Sequence, residues 1–159
     1  MEEIELIPNG SKAQKYELVL KQAESLCHGE PNLVANLSNI TALLKQTFNW
    51  FWIGFYLVEN TALVLGPFQG PVACTRIQKG KGVCGSVWEK QATIIAPDVN
   101  LFPGHISCNA ASQSEIVVPI VKNGKMVAVL DVDSDELDSF DGEDKLGLEA
   151  LAILISSYF

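Results

Sequence analysis

Three cysteines of this chain sit in sequence that packs poorly and bends easily: Cys74 in "VACTR", Cys84 in "GVCGS" and Cys108 in "ISCNAAS". Thiols gathered in loops favour thiol and disulfide chemistry, in which two sulfurs must approach within about 2 Å after one is oxidised. Zinc ligation is the other use of such a set. Structural zinc sites show closely paired ligands, however, and no pair of cysteines here has the usual two residues between them. His28 and His105 are the only imidazoles, so no metal is expected. His105, three residues before Cys108, either lowers the pKa of that thiol or is a plain loop histidine. Cys27 is different: it lies at the edge of an apolar helical stripe and reads as a small buried hydrophobe.

Carboxylates form the second candidate group. In "SEIVVPIVKNGKMVAVLDVDS", Asn123-Gly124 takes the positive φ angles of a tight turn between two runs of branched residues, which predicts a hairpin. Alternation puts Asp131 and Asp133 on one face of its second strand, and antiparallel pairing brings Glu115 towards them. Taken alone, such a strand end is a solvent-exposed charge. Crowded together, three carboxylates repel, so at least one should keep a raised pKa and be able to supply a proton. Trp52 and Tyr56 are also evenly spaced and share a strand face, as core aromatics or as the wall of a pocket.

The elements that must position these residues follow from periodicity. From Ser11, Tyr16, Val19, Leu20, Ala23 and Leu26 make one face of a helix ending near "CHGE". Pro31 suits the first turn of a second helix, with a stripe of Leu33, Val34, Leu37, Ile40, Thr41 and Leu44. "NWFWIGFYLVENTALVLGPF" reads as two strands around a Glu59-Asn60-Thr61 break, "GVCGSVWEKQ" as a short helix and "ATIIA" as a short strand. A long loop from Asp98 to Ser114 then precedes the second hairpin, and loops of that length are usually functional. Asp141, with Asp144 three residues on, caps a final helix that is apolar over most of its circumference and is therefore expected to be well buried. The order predicts an α+β sandwich: one antiparallel sheet, terminal helices on one face, cysteine-bearing loops on the other.

Bulk composition narrows the function. A chain of 159 residues with 48% hydrophobic content fits one domain, with helices at about 11–46, sheet and loops at about 50–134 and a last helix at about 142–158. A formal charge of −8 and a single arginine, Arg76, exclude a nucleic-acid backbone as partner. No apolar run is long enough for a membrane span and "MEEIELIPNG" is not a signal peptide. The expected location is the cytoplasm, where cysteines are not permanent staples. The acidic run "DVDSDELDSFDGED" is either a solvated surface or a holder of cationic groups.

Over nearly its whole length the chain resembles the free methionine-(R)-sulfoxide reductases, which are built on a GAF domain. The resemblance rests on "NLVANLSNITALL", "NWFWIGFYLV", "LGPFQGPVACTRIQKGKGVCGSVW", "VNLFPGHISCNAASQSEIVVPI" and "VLDVDS". It implies that Cys108 attacks the sulfoxide sulfur and becomes a sulfenic acid, that Cys74 or Cys84 then condenses with it to form a disulfide, and that thioredoxin restores the dithiol. Cys74 is the preferred resolving residue, with Cys84 the competing one. The resemblance further implies Asp131 for the substrate ammonium, Glu115 and Asp133 for the sulfoxide oxygen, amides around Ile106, Ser107 and Cys108 for the substrate carboxylate, and Trp52 with Tyr56 for the methyl-sulfur end. It implies no cofactor, and a homodimer is its expectation for assembly. A non-catalytic GAF module that binds a small molecule and senses redox state is the competing reading, which predicts binding without turnover. A zinc-stabilised interaction domain is a third, which metal analysis separates from both.

Overall fold

Six antiparallel strands in the order β3-β2-β1-β6-β5-β4 form one sheet in a computed structural model that describes residues 4–106 and 108–159. The strands are β1 Trp52–Glu59, β2 Ala62–Gln69, β3 Arg76–Gln78, β4 Ile94–Ala96, β5 Ser114–Lys122 and β6 Lys125–Ser134. Four helices accompany them: α1 Lys12–Cys27, α2 Leu33–Phe48, α3 Gly82–Lys90 and α4 Gly142–Ser156.

Local chemistry explains the boundaries. Ser11 and Gln14 form a reciprocal capping box at α1, as do Asp141 and Asp144 at α4. Asn123 and Gly124 have φ values of 51° and 75°, the geometry a two-residue hairpin turn needs to match strand twist. The β1–β2 turn contains Asn60 at φ 53°, as the polar break predicts.

Pleating divides the sheet into two apolar layers. Ile53, Phe55, Ile116, Val118, Leu130 and Val132 face α1, α2 and α4. Trp52, Tyr56, Val117 and Val129 face the other way, against Cys84, Val87 and Trp88 of α3. Helices on one face and cysteine-bearing segments on the other is therefore the observed architecture, an α+β sandwich.

Several details depart from the sequence reading. Asn32, not a residue of the helix, caps α2 by accepting from the Ala35 amide, so Pro31 lies outside the first turn. Val34 is exposed and Leu43 takes a place in the core, while Leu37, Ile40, Thr41 and Leu44 are buried as the stripe predicts. α4 is not buried all round: Leu146 and Ile153 are 70% and 75% exposed. The helix packs one stripe on β5 and α1 and presents the opposite stripe outward. The long loop holds a 3-10 turn at Val99–Leu101, and β3 was not anticipated because three residues carry too little periodicity.

The acidic run is put to structural use. Asp144, fully buried, receives Lys12 Nζ at 2.5 Å and the Tyr16 hydroxyl at 2.9 Å. A second contact of Lys12, to Asp141 at 2.8 Å, completes a clamp between the first and last helices. Tyr16 reaches Asp144 only because position 147 is glycine: a Cβ there would sit 2.2 Å from the tyrosine ring.

Candidate active site

The carboxylates converge because of strand register. Asp133 pairs with Trp52 on β1 and with Glu115 on β5, and Asp131 pairs with Gly54 and Val117. All of these side chains point away from the helices, so Trp52, Asp133 and Glu115 form one row across three strands, with Asp131 in the next row. Gly54 leaves room above itself. A Cβ there would lie 2.4 Å from the Trp52 ring, so the indole folds over the glycine and stacks between Tyr56 and Phe68 at centroid distances of 5.9 and 5.4 Å.

From the other side, α3 delivers Cys84 to the same place. Its Sγ lies 3.9 Å from Glu115 Oε1, and one ligand atom each from Cys84, Glu115 and Asp131 falls within 4.8 Å of the others. None of Glu115, Asp131 or Asp133 has an ion-pair partner among the described residues, and Asp131 Oδ1 is buried without a hydrogen-bond partner. Buried carboxylates without cations favour their neutral form. Burial, reinforced by the Asp131 and Asp133 charges, raises the Glu115 pKa well above the usual range. Burial and then Asp133 do the same to Asp131. Asp133 rises to about 6, since a hydrogen bond to Ser112 offsets part of its burial. The sequence reading anticipated raised carboxyl pKa values from mutual repulsion; burial is the larger cause. Cys84 is likewise pushed up by burial and then by the neighbouring acids, so it stays a thiol at neutral pH.

Cys74 and Cys108, far apart in sequence, are joined by a disulfide with a Cα–Cα distance of 5.3 Å. The segment carrying Cys74 is tied to the sheet by the two aromatics: the Trp52 indole N–H donates to the Pro71 carbonyl at 3.0 Å, and the Tyr56 hydroxyl to the Cys74 carbonyl at 3.0 Å. Their polar groups therefore hold the cysteine loop, while the two side chains also line a cavity that opens to solvent. Cys84, Cys108, Glu115, Asp131 and Asp133 share that cavity. Cys27 lies among the helices on the opposite face and is buried.

The loop that carries Cys108 also lines the cavity, through His105 and Asn109 among others. Ile106 lines it beside Cys108, and the Gly82 amide donates to the Gly104 carbonyl at 3.2 Å, which fastens this loop to the start of α3. Ser107 lies outside the described residues. Burial lowers the His105 pKa, so at neutral pH it is an uncharged imidazole and no cationic partner for a thiolate. Ser112 is the residue that sequence reasoning missed: it lines the cavity and hydrogen-bonds Asp133. A serine in a Ser-rich loop carries no periodic signal, and only the position of the β5 entrance reveals it.

A metal is not required to account for the disulfide, but the thiol and carboxylates of the inner wall are of ligand type.

Residues 32–158 match the GAF-domain model. GAF domain-containing protein A of Dictyostelium discoideum is 55% identical over 95% of this chain and 96% of its own length. The free methionine-R-sulfoxide reductase of Saccharomyces cerevisiae is 45% identical over 93% of this chain and 87% of its own. The structure of free methionine-R-sulfoxide reductase from Neisseria meningitidis in complex with its substrate superposes with a TM-score of 0.97, at 47% identity, covering all of this chain and 96% of that one.

Proposed function

This chain belongs to the GAF-domain family and, within it, to the free methionine-R-sulfoxide reductases, and on that premise we propose that it reduces the R sulfoxide of unlinked methionine through Cys108 and Cys74. The observation that carries the reading is the Cys74–Cys108 bond at a cavity walled by three carboxyl groups, two of them buried.

The Cys108 thiolate attacks the sulfoxide sulfur while the oxygen, gaining negative charge, takes up protons. Glu115 and Asp133 suit this task, because carboxyl groups with raised pKa values hold a proton near neutral pH. Methionine leaves, and the oxygen is retained on Cys108 as a sulfenic acid. The Cys74 thiol then attacks that sulfur, water departs and the disulfide forms. Two electrons from an external dithiol, for which thioredoxin is the candidate, return both sulfurs to thiols. Tyr56 and Trp52 keep the 71–74 segment against the sheet throughout, so Cys74 does not have to search for its partner.

Asp131 is assigned to the substrate ammonium. A cation beside its unpartnered oxygen favours the carboxylate and offsets the desolvation that raises its pKa. The amides around Ile106, Ser107 and Cys108 are assigned to the substrate carboxylate, where successive N–H groups of a turn suit an anion. Enclosing both charged ends excludes a methionine that sits within a polypeptide. Cys84, kept as a thiol beside Glu115, is assigned no sulfenic-acid chemistry in this cycle.

A thioredoxin-coupled assay on free R, free S and peptide-bound methionine sulfoxide tests the reading. Turnover of the free R form alone is expected. Failure to consume it with thioredoxin or with a small dithiol would reject the assignment. Cys108→Ser should abolish even one turnover, whereas Cys74→Ser should release about one methionine per chain without recycling. Undiminished recycling in Cys74→Ser would move the resolving role to Cys84.

A further inference from the structure

The inner wall of the cavity holds more ligand chemistry than a thiol and disulfide cycle between Cys74 and Cys108 uses. Cys84, Glu115 and Asp131 come from three different elements, α3, β5 and β6, and each is at least nine-tenths buried. Their ligand atoms lie within 4.8 Å of one another, with Cys84 Sγ 3.9 Å from Glu115 Oε1. Zinc takes sulfur at about 2.3 Å and carboxylate oxygen at about 2.0–2.2 Å, so tetrahedral ligands sit roughly 3.5 Å apart. Closing onto an ion therefore asks these side chains to move by less than about 1 Å. A second, independent feature points the same way: Asp131 Oδ1 is buried with no hydrogen-bond partner, an arrangement that native structures avoid unless something fills it. No cationic side chain is paired with Glu115 or Asp131 among the described residues.

We propose that Cys84, Glu115 and Asp131 form a binding site for a borderline-soft divalent cation of the zinc type, and that the bound ion excludes the amino-acid substrate from the cavity. The ion takes the place of the Cys84 thiol proton and of any protons held by Glu115 and Asp131, forming one sulfur–metal and two oxygen–metal bonds, and the displaced protons pass to buffer. One coordination position faces the open cavity and takes water. The exclusion half of the proposal rests on the function assigned above, since Asp131 is the residue given to the substrate ammonium; the binding half does not.

The mixed donor set selects the ion. A single sulfur with two carboxylates favours zinc or cobalt over magnesium or calcium, which prefer oxygen alone. Such a site leaves no spacing signature, because its ligands are scattered along the chain.

Cobalt(II) is the probe, added to the protein with the Cys74–Cys108 bond intact so that neither of those sulfurs can ligate. One equivalent should bind with a sulfur-to-metal charge-transfer band, and zinc should displace it. Cys84→Ala should remove the band, and Glu115→Gln or Asp131→Asn should weaken binding tenfold or more, with unchanged melting curves showing that each variant is folded. Cys27 lies in the helix layer on the other face of the sheet, so binding through it would survive Cys84→Ala. A band that persists in Cys84→Ala, or binding with no sulfur band, overturns the proposal. Free methionine sulfoxide should lower the apparent cobalt affinity in proportion to its concentration; simultaneous binding of both overturns the exclusion half. A chain that binds cobalt through Cys84 yet turns over no sulfoxide would refute the proposed function while upholding this site. Turnover without a sulfur-ligated ion would do the reverse.

Discussion

Asp144 and Asp131 are both buried acids, 0% and 6% exposed, on opposite faces of the sheet. Asp144 has every partner it needs: Lys12, Tyr16 and the Asp141 amide, which donates to it at 2.9 Å. Among the described residues Asp131 is paired with no cation and keeps one oxygen without a partner. Burial alone therefore does not mark function. A buried charge satisfied from within the chain ties helices together, and one left unsatisfied is open to a partner from outside. The two free thiols repeat the contrast, with Cys27 among aliphatic side chains and Cys84 beside an acid.

The contrast can be broken most forcefully on the helix side. Gly147→Ala drives a methyl group into the Tyr16 ring and should cost about 3 kcal/mol or more, lowering the melting temperature by on the order of 10 °C or preventing folding. A fully stable Gly147→Ala would mean that the Tyr16 contact is soft. Asp144→Asn leaves Lys12 with Asp141 but takes the buried charge from beside it, and should cost about 2–3 kcal/mol. Denaturant unfolding measures that cost, and sulfoxide affinity should stay unchanged.

On the cavity side the signs reverse. Asp131→Asn should lower kcat/KM for free methionine sulfoxide about 100-fold, equivalent to about 2.7 kcal/mol, with stability unchanged or raised because an unpaired buried acid is gone. Equal activity in this variant would dissolve the distinction between the two aspartates.

Asp133 sharpens the comparison through pH. Its pKa is raised on folding to about 6, so its contribution to stability is fully present below the unfolded value near 3.9 and is lost as pH rises through 6. Asp133→Asn should therefore gain on the order of 1 kcal/mol at pH 7, about 2–4 °C for a chain of this length, and the gain should vanish near pH 4. A gain that is constant with pH would assign the effect to packing. The smallest effect is expected from Tyr56→Phe, which removes one hydrogen bond to the Cys74 carbonyl: about 1 kcal/mol, read as slower disulfide closure after a single turnover.

Much of this was legible in the chain because it depends on local chemistry. Caps at Ser11 and Asp141, the Asn123-Gly124 turn and strand alternation are each decided within a few residues. Alternation was sufficient to place Asp131 and Asp133 on one face. It could not say that α3 would lower Cys84 onto Glu115, nor that Ser112 would reach Asp133, because both contacts depend on how separate elements pack. The expectation that α4 would be well buried held for one stripe, Leu148, Leu151 and Ile155, and not for Leu146 and Ile153: apolar content limits how much can be covered, while the available neighbours decide what is covered.

By itself, the sequence determined the types of the longer elements, the two hairpin turns and the thiols and acids available for chemistry, since side-chain period and turn geometry act over short distances. Tertiary structure alone decided which thiol bonds to Cys108, which acids lose their solvent, and that Asp144 finds a cation while Asp131 does not. Those outcomes are set by desolvation and by approach within a few ångströms between segments distant along the chain, and neither quantity is written in local spacing.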